Sequence, residues 1–336
     1  MDAFTQHAVQ PRLKRRQLLA GVLTTGALAA AALPRAAQAA WPADRPIQVL
    51  VSGPPGGGMD MLARTVLPFV ARRLPGASFV VVNRPAAGGQ LAFEGVAQAA
   101  PDGFTIGAAQ APNSIVLPIE RQVRYRVQDF TFLGNVIEDP CGLWVRADSP
   151  IRNVADLVAA ARQRPGQVTV GTVGTGSDDH LLMLGLQDAA SVEFSHVPFN
   201  GTPPIITNLL SRSIDAGSFN MSEGQSLLRD GSLRALAQGG PARWAGTADV
   251  PTMREQGFAV EQGSTRGLVA PPNLPPEILV PLRAAVAAAN ADPEWIAAAD
   301  RVNLPLRPMS AEAQQALFLE QDAQLRAIWA RRPWRD

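Results

Sequence analysis

After Lys14 the chain contains no lysine, and its 336 residues include one cysteine, one tyrosine and three histidines. The first absence removes the amine that Schiff-base chemistry needs from everything beyond the N-terminal stretch. The lone cysteine, Cys141, excludes an internal disulfide and a cysteine-cluster metal site, and its mid-chain position excludes a lipid-modified N-terminal cysteine. His180 and His196 lack a paired-ligand motif, which points to structural roles rather than a metal centre. No G-x-S-x-G elbow occurs, and Ser177-Asp178-Asp179-His180 places would-be triad members side by side at one helix start, where they point in different directions.

Charge is also scarce, at 18% of residues, and its sign depends on the first 39 positions. The stretch "RLKRRQLLAGVLTTGALAAAALPRAAQAAWP" has a basic start (Arg12, Lys14, Arg15, Arg16), an apolar run from Leu18 to Leu33, and small residues at Ala37 and Ala39. This is the layout of a cleaved export signal, with cleavage expected after Ala39. The apolar run is short for a membrane span and is interrupted by Thr24 and Thr25. Arg15-Arg16 followed by Gln17-Leu18-Leu19 is a partial twin-arginine pattern, which leaves the export route open. Residues 1–39 hold five basic groups and one acidic group, so the remainder carries 25 basic against 28 acidic residues. A mildly acidic mature chain speaks against nucleic acid as a partner.

What is plentiful is glycine at strand-to-helix turns. "IQVLVSGPPGGGMDMLARTV" (Ile47 to Val66) is an apolar run, a turn with Gly53, Gly56, Gly57 and Gly58, and a helical pattern. Free backbone N–H groups and the positive helix end converge at such a turn, which suits an anion. The phosphate-binding P-loop is excluded because Met59 and Asp60 stand where its Lys and Ser/Thr belong, and G-x-G-x-x-G is unmatched. Two readings remain: a site for a small anion such as a carboxylate, or a tight turn that uses glycine for its backbone freedom.

Apolar β-type runs at Phe79 to Val82, Phe104 to Ala109, Phe132 to Ile137, Gln167 to Gly171 and Val192 to Val197 alternate with alanine- and leucine-rich helical stretches. This alternation predicts an α/β fold with mainly parallel sheets covered on both faces. A boundary is expected near "CGLWVRADSPIRNVADL", where a strand gives way to a helix capped around Asn153. The theme then repeats: strand, the loop Thr172 to Ser177, and a helix from Asp178. Two α/β lobes would thus face each other across a cleft.

The second loop, "VTVGTVGTGSDDHLLMLGL", together with "PPGGGMDMLAR", "VVNRPAAGG", "AAPDGFTIG", "HVPFNGTPP", "GSLRALA", "ADVPTMREQGF" and "RGLVAPPNLPP", resembles the Bug receptors, the extracytoplasmic substrate-binding proteins of tripartite tricarboxylate transporters. The similarity runs in order from about Trp41 to the C-terminus. It implies a two-lobed periplasmic-binding-protein (Venus flytrap) fold, each lobe a mainly parallel sheet flanked by helices, with residues 40–143 and 265–336 in lobe 1 and 144–264 in lobe 2. It also implies a periplasmic, non-catalytic receptor without cofactor or metal. Such a receptor delivers a small carboxylate to membrane permease subunits.

Carried over onto this sequence, the resemblance implies a ligand carboxylate held by two loops, partly through water: Gly56, Gly57, Gly58 and Asp60 in lobe 1, and Gly174, Thr175, Gly176 and Ser177 in lobe 2. Asp60 is expected to cap its helix and order the loop rather than touch an anion. Asn200 and Gly201 stand in a segment the family usually reads Tyr-Lys-Gly, so a customary lysine is absent. Asn220 matches a strand-end asparagine, and Gln110 and Asn113 sit where a lobe-1 strand runs out. "STRGLVAP" replaces a frequent Trp-x-Gly-Leu, so an aromatic wall is missing and Arg266 appears, either as a ligand contact or paired with a surface acid. An exported α/β enzyme acting on a small organic acid, and a ligand-sensing partner of a membrane sensor kinase, are the competing functions.

Overall fold

The computed structural model describes residues 41–331 together with 333 and 334. The export signal and its expected cleavage point lie outside the described residues. No helix among the described residues is long and apolar enough to cross a membrane.

The first half runs β1 (Ile47–Val51), α1 (Gly58–Arg72), β2 (Phe79–Asn83), α2 (Gln90–Ala97), β3 (Thr105–Ala111), α3 (Asn113–Glu120), β4 (Thr131–Arg146), α4 (Val154–Gln163), β5 (Thr169–Thr172) and α5 (Asp178–Ala190). It continues through β6 (Ser195–Pro198), α6 (Thr202–Leu210), β7 (Ala216–Asn220), α7 (Met221–Arg229), β8 (Leu233–Gln238), β9 (Gly263–Ala270), α8 (Pro276–Asn290), α9 (Pro293–Arg301), β10 (Leu306–Met309) and α10 (Ala311–Arg331). Two of the helix starts singled out in the sequence are side-chain capped: Asn153 accepts from the Asp156 amide at 2.8 Å, and Ser177 from the His180 amide at 3.1 Å. α1 starts at Gly57 with no side-chain cap, and Asp60, expected to cap it, accepts the Gly56 amide of the turn instead.

The fold is two-lobed α/β, and its parallel character is confined to two blocks. β1 pairs in parallel with β2 and β3, and β5 with β6 and β7. Antiparallel strands join the blocks: β3 to β9, β9 to β4, and β4 to β7, giving the order β2-β1-β3-β9-β4-β7-β5-β6. β4 is the strand that belongs to both lobes. Its segment Thr131 to Pro140 pairs with β9, and from Cys141 onward it pairs with β7 and β8. The sequence reads as two strands here because Pro140 and Gly142 resemble breaks. Pro140 is tolerated because its missing donor falls at the changeover between the two sets of partners.

Each sheet is covered on both faces, as central strands require. In the first lobe one face packs Leu62, Val66 and Val70 of α1 with Leu282, Val286 and Trp295, and the other packs Phe93, Ile115 and Phe318. In the second, Leu157, Leu182 and Leu186 cover one face, while Trp144, Ile205, Leu209 and Phe219 form the core of the other. Leu181 of α5 packs into the first lobe's second cluster, against the α3 and α10 side.

Trp144 anchors the second lobe: it is fully buried, stacks on Phe219 with centroids 4.9 Å apart, and donates from Nε1 to the Phe219 carbonyl at 2.9 Å. Trp144→Ala should therefore lower the stability of the ligand-free protein by about 3–5 kcal/mol, since a large cavity opens beneath α6 and α7. Urea unfolding of the two proteins measures this, and a loss below about 1 kcal/mol would contradict it.

Candidate functional site

The Gly53 to Gly57 turn is ordered by Asp60. Its carboxylate accepts the Gly56 amide at 3.0 Å, Arg64 Nε at 2.9 and 3.0 Å, and Asn83 Nδ2 at 3.0 Å. Burial raises the pKa of Asp60, but the hydrogen bonds from Arg64, Gly56 and Asn83 and the charge of Arg64 outweigh it and hold the carboxyl below its usual range. Asp60 and Gly56 thus shape the turn from behind, while Gly57 and Gly58 face the cleft between the lobes.

Opposite that helix start lies Arg266, on β9, in register with Gln110 of β3 and Ile137 of β4. It is 2% exposed. Nε donates to Ser264 Oγ at 2.8 Å and Nη2 to Asn220 Oδ1 at 2.5 Å. Among the described residues Nη1 has no hydrogen-bond partner; the nearest counter-charge, Asp139 Oδ2, is 3.7 Å away. The acid beside Arg266 is thus fully buried rather than a surface group. A Cβ on Gly58 would collide with Nη1, so residue 58 has to be glycine for the guanidinium to approach the α1 N-terminus.

Behind Arg266 lies a cluster of acids. Asp139 accepts from the Ser222 amide at 3.2 Å and from the Ser222 hydroxyl. Burial pushes its pKa up to about 7, against the opposing pull of Arg266 and Ser222. Asn220 Nδ2 donates to the Asp139 carbonyl at 3.0 Å and to Asp178 Oδ2 at 2.8 Å, and the Cys141 thiol donates to the same Asp178 oxygen at 3.1 Å. Asp179 is fully buried with neither oxygen hydrogen-bonded among the described residues, and burial together with the charge of Asp178 pushes its carboxyl well above the usual range. Ligand atoms of Cys141, Asp178 and Asp179 lie within 4.8 Å of one another. The thiol is held in its protonated form, because it donates to Asp178 and burial raises its pKa, so the group is a hydrogen-bonded acid cluster rather than a thiolate ligand set.

A cavity of about 110 Å³ opens between Arg266 and the helix starts. Of the residues singled out in the sequence, Gly57, Gly58, Gln110, Asn113, Asn200, Gly201, Asn220 and Arg266 line it. Four helices begin on its wall: α1 at Gly58, α3 at Asn113, α6 at Thr202 and α7 just after Asn220. Their N-terminal dipoles converge on one small space. A larger depression of about 710 Å³, on the outer side of α5, is lined by His180, His196, Leu184 and Trp334. The convergence of four helix starts and an unpaired guanidinium singles out the smaller one.

Gly174, Thr175, Gly176 and Ser177 do not line the cavity; from their loop Val173 does. The Gly174 amide points to Thr172 Oγ1 at 3.3 Å, the Gly176 amide donates to His180 Nδ1 at 3.1 Å, and the Ser177 amide to the Gly174 carbonyl at 3.3 Å. A Cβ on Gly176, whose φ is +72°, would collide with Glu120 Oε1 and sit 3.1 Å from Val116 Cγ2. Two α3 side chains therefore cover this loop. The His180 and His196 rings stack with centroids 4.0 Å apart, and His196 Nε2 meets Thr172 Oγ1 at 2.8 Å, so both histidines brace the loop.

The sequence reading missed Glu223, Thr202 and Ser52 on the cavity wall and Asp139 behind it. Glu223 and Thr202 stand in the first turns of helices that follow strands, the same signal that drew attention to α1, but without its run of glycines.

Asp139 gives a pH prediction. Folded, it holds its proton up to about pH 7; unfolded, only to about its ordinary 3.8. The folded state therefore binds more protons across that window, and stability falls as pH rises through it. The raised pKa of Asp179 adds in the same direction. Urea unfolding of the ligand-free protein from about pH 4.5 to about pH 8 should show this decline, and Asp139→Asn should flatten it. Unchanged slopes in the variant would remove Asp139 as the cause.

The chain matches the family described as "Tripartite tricarboxylate transporter family receptor" over residues 62–329. It is 31% identical to protein BugT of Bordetella pertussis over 240 residues, covering 70% of this chain and 73% of that protein. Among solved structures, MatC of Rhodopseudomonas palustris with bound malate is 27% identical with a TM-score of 0.77, covering 84% of this chain and 98% of MatC. The R. palustris protein Rpa4515 with adipate is 28% identical with a TM-score of 0.79, covering 86% and 97%.

Proposed function

This chain belongs to the tripartite tricarboxylate transporter receptor family, and from that premise we propose that it is a periplasmic solute receptor that binds a small carboxylate in the 110 Å³ cavity and delivers it to membrane permease subunits. One observation carries the site assignment: Arg266 Nη1, buried and without a hydrogen-bond partner among the described residues, faces the N-terminus of α1. Two positive poles brought together in a low-dielectric cleft repel each other unless an anion lies between them. A carboxylate fits, because its two oxygens can take Nη1 and the α1 amides at once.

In this reading Gly57 and Gly58 supply amides. Gln110, Asn113 and Asn200 read the ligand's remaining polar groups, Asn220 holds the Arg266 guanidinium in place through Oδ1, and Gly201 brings the α6 start close. Gly56 and Asp60 hold the first loop, while Gly174, Thr175, Gly176 and Ser177 hold the opposite wall. Malate and adipate in the two R. palustris proteins support a carboxylate as the ligand.

Malate, succinate and adipate should be tested by thermal shift beside nucleotides and neutral sugars. An acid present at about a hundredfold excess over its Kd stabilises the protein by about 2.7 kcal/mol. Arg266→Met should abolish the shift while the variant still melts cooperatively. A shift from a sugar and from no acid would overturn the assignment. A further expectation concerns processing: the exported protein should begin at or near Ala40, and N-terminal sequencing that found Met1 on periplasmic material would contradict it.

A further inference from the structure

Arg266 and Glu223 are the only charged side chains on the cavity wall among the described residues. They have opposite sign. Glu223 lies in the first turn of α7, where Oε2 accepts the Thr202 hydroxyl at 2.9 Å and Oε1 takes no hydrogen bond among the described residues. Oε1 sits 3.4 Å from the position a Cβ on Gly58 would occupy, the same position that Arg266 Nη1 closes on from its own side. Among the ion pairs of the described residues Arg266 joins Asp139 and not Glu223, although the two side chains flank one point. The wall thus offers an unpaired cationic donor and an unpaired carboxylate oxygen across a gap, with the side-chain amides of Gln110 and Asn113 beside them.

A ligand that carried only carboxylates would satisfy Nη1 and then meet Glu223 as a like charge, which costs affinity in a poorly solvated cleft. A ligand with a protonated amine beside its carboxylate satisfies both groups. Resting on the receptor reading above, we propose that the solute is a zwitterionic amino carboxylate, its carboxylate on Arg266 Nη1 and the α1 N-terminus and its ammonium on Glu223 Oε1. Glu223 is then the residue that sets amine specificity, since a site built to accept an N–H donor discriminates strongly against the analogue that lacks it.

The test is calorimetric titration of the purified exported protein with matched pairs that differ by one ammonium: acetate and glycine, succinate and aspartate, glutarate and glutamate, adipate and 2-aminoadipate. In at least one pair the amino member should bind about tenfold tighter or more. Glu223→Gln, checked for an unchanged ligand-free melting profile, should erase that preference by weakening the amino member about tenfold while leaving the amine-free member no weaker. Equal or tighter binding of the amine-free member in every pair overturns the proposal in the unaltered protein alone, as does a preference that survives in Glu223→Gln. In either case the carboxylate reading stands. If no member of any pair binds and malate gives no thermal shift, the receptor reading falls and the amine specificity with it.

Discussion

A guanidinium that is 2% exposed must find its counter-charge and hydrogen bonds inside the protein, and the centre of this molecule is arranged around that requirement. Moving an ion of this size out of water costs several kcal/mol even after relaxation. Arg266 recovers part of it from Ser264 and Asn220 and part from Asp139 at 3.7 Å, but Nη1 is left over. The surrounding sequence conforms to this one side chain. Gly58 carries no Cβ because Nη1 needs its space, Ser222 holds Asp139 in place, and Asn220 spends its oxygen on Arg266 and its nitrogen on Asp178 and the Asp139 carbonyl.

These polar groups cluster where they do because of the sheet. β4 changes partners between Pro140 and Cys141, and a strand that leaves one ladder for another leaves backbone groups to be satisfied by side chains. The Asp139 carbonyl is one, met by Asn220. Arg266 stands on β9, the other strand at the junction, so the charge network and the mechanical link between the lobes share the same few residues. Asp139 and Arg266 thus sit at the junction of the two ladders and beside the cavity at once.

Local signals were legible in the sequence and long-range ones were not. The β1 strand, the glycine turn after it and the helix starts at Asn153 and Ser177 are written in consecutive residues, and the structure has them where the pattern puts them. The two glycine loops looked equivalent because each precedes a helix. They differ because Glu120 and Val116, from α3 in the other lobe, lie over Gly176, a contact with no local signature. The partner of Arg266 was likewise hidden: Asp139 lies far away in the chain and reads as a polar interruption before Pro140. Glu223 was passed over because a glutamate in the first helical turn is explained by the dipole alone.

The acids behind the cavity raise the question of how the proposed anion site can be backed by Asp139, Asp178 and Asp179, all fully buried. Were all three ionised, their combined field would cancel the single arginine. Burial eases the conflict by lifting Asp139 to about 7, so that it is a full counter-charge to Arg266 only above that pH, and by lifting Asp179 well above the ordinary range. A neutral carboxyl is a dipole rather than a charge, so it can fill space and hydrogen-bond without competing for the guanidinium. The attraction that Arg266 exerts on the cavity therefore depends on how many protons its neighbours hold. The lone thiol of Cys141 fits the same logic: it adds a hydrogen-bond donor to Asp178 without adding a charge.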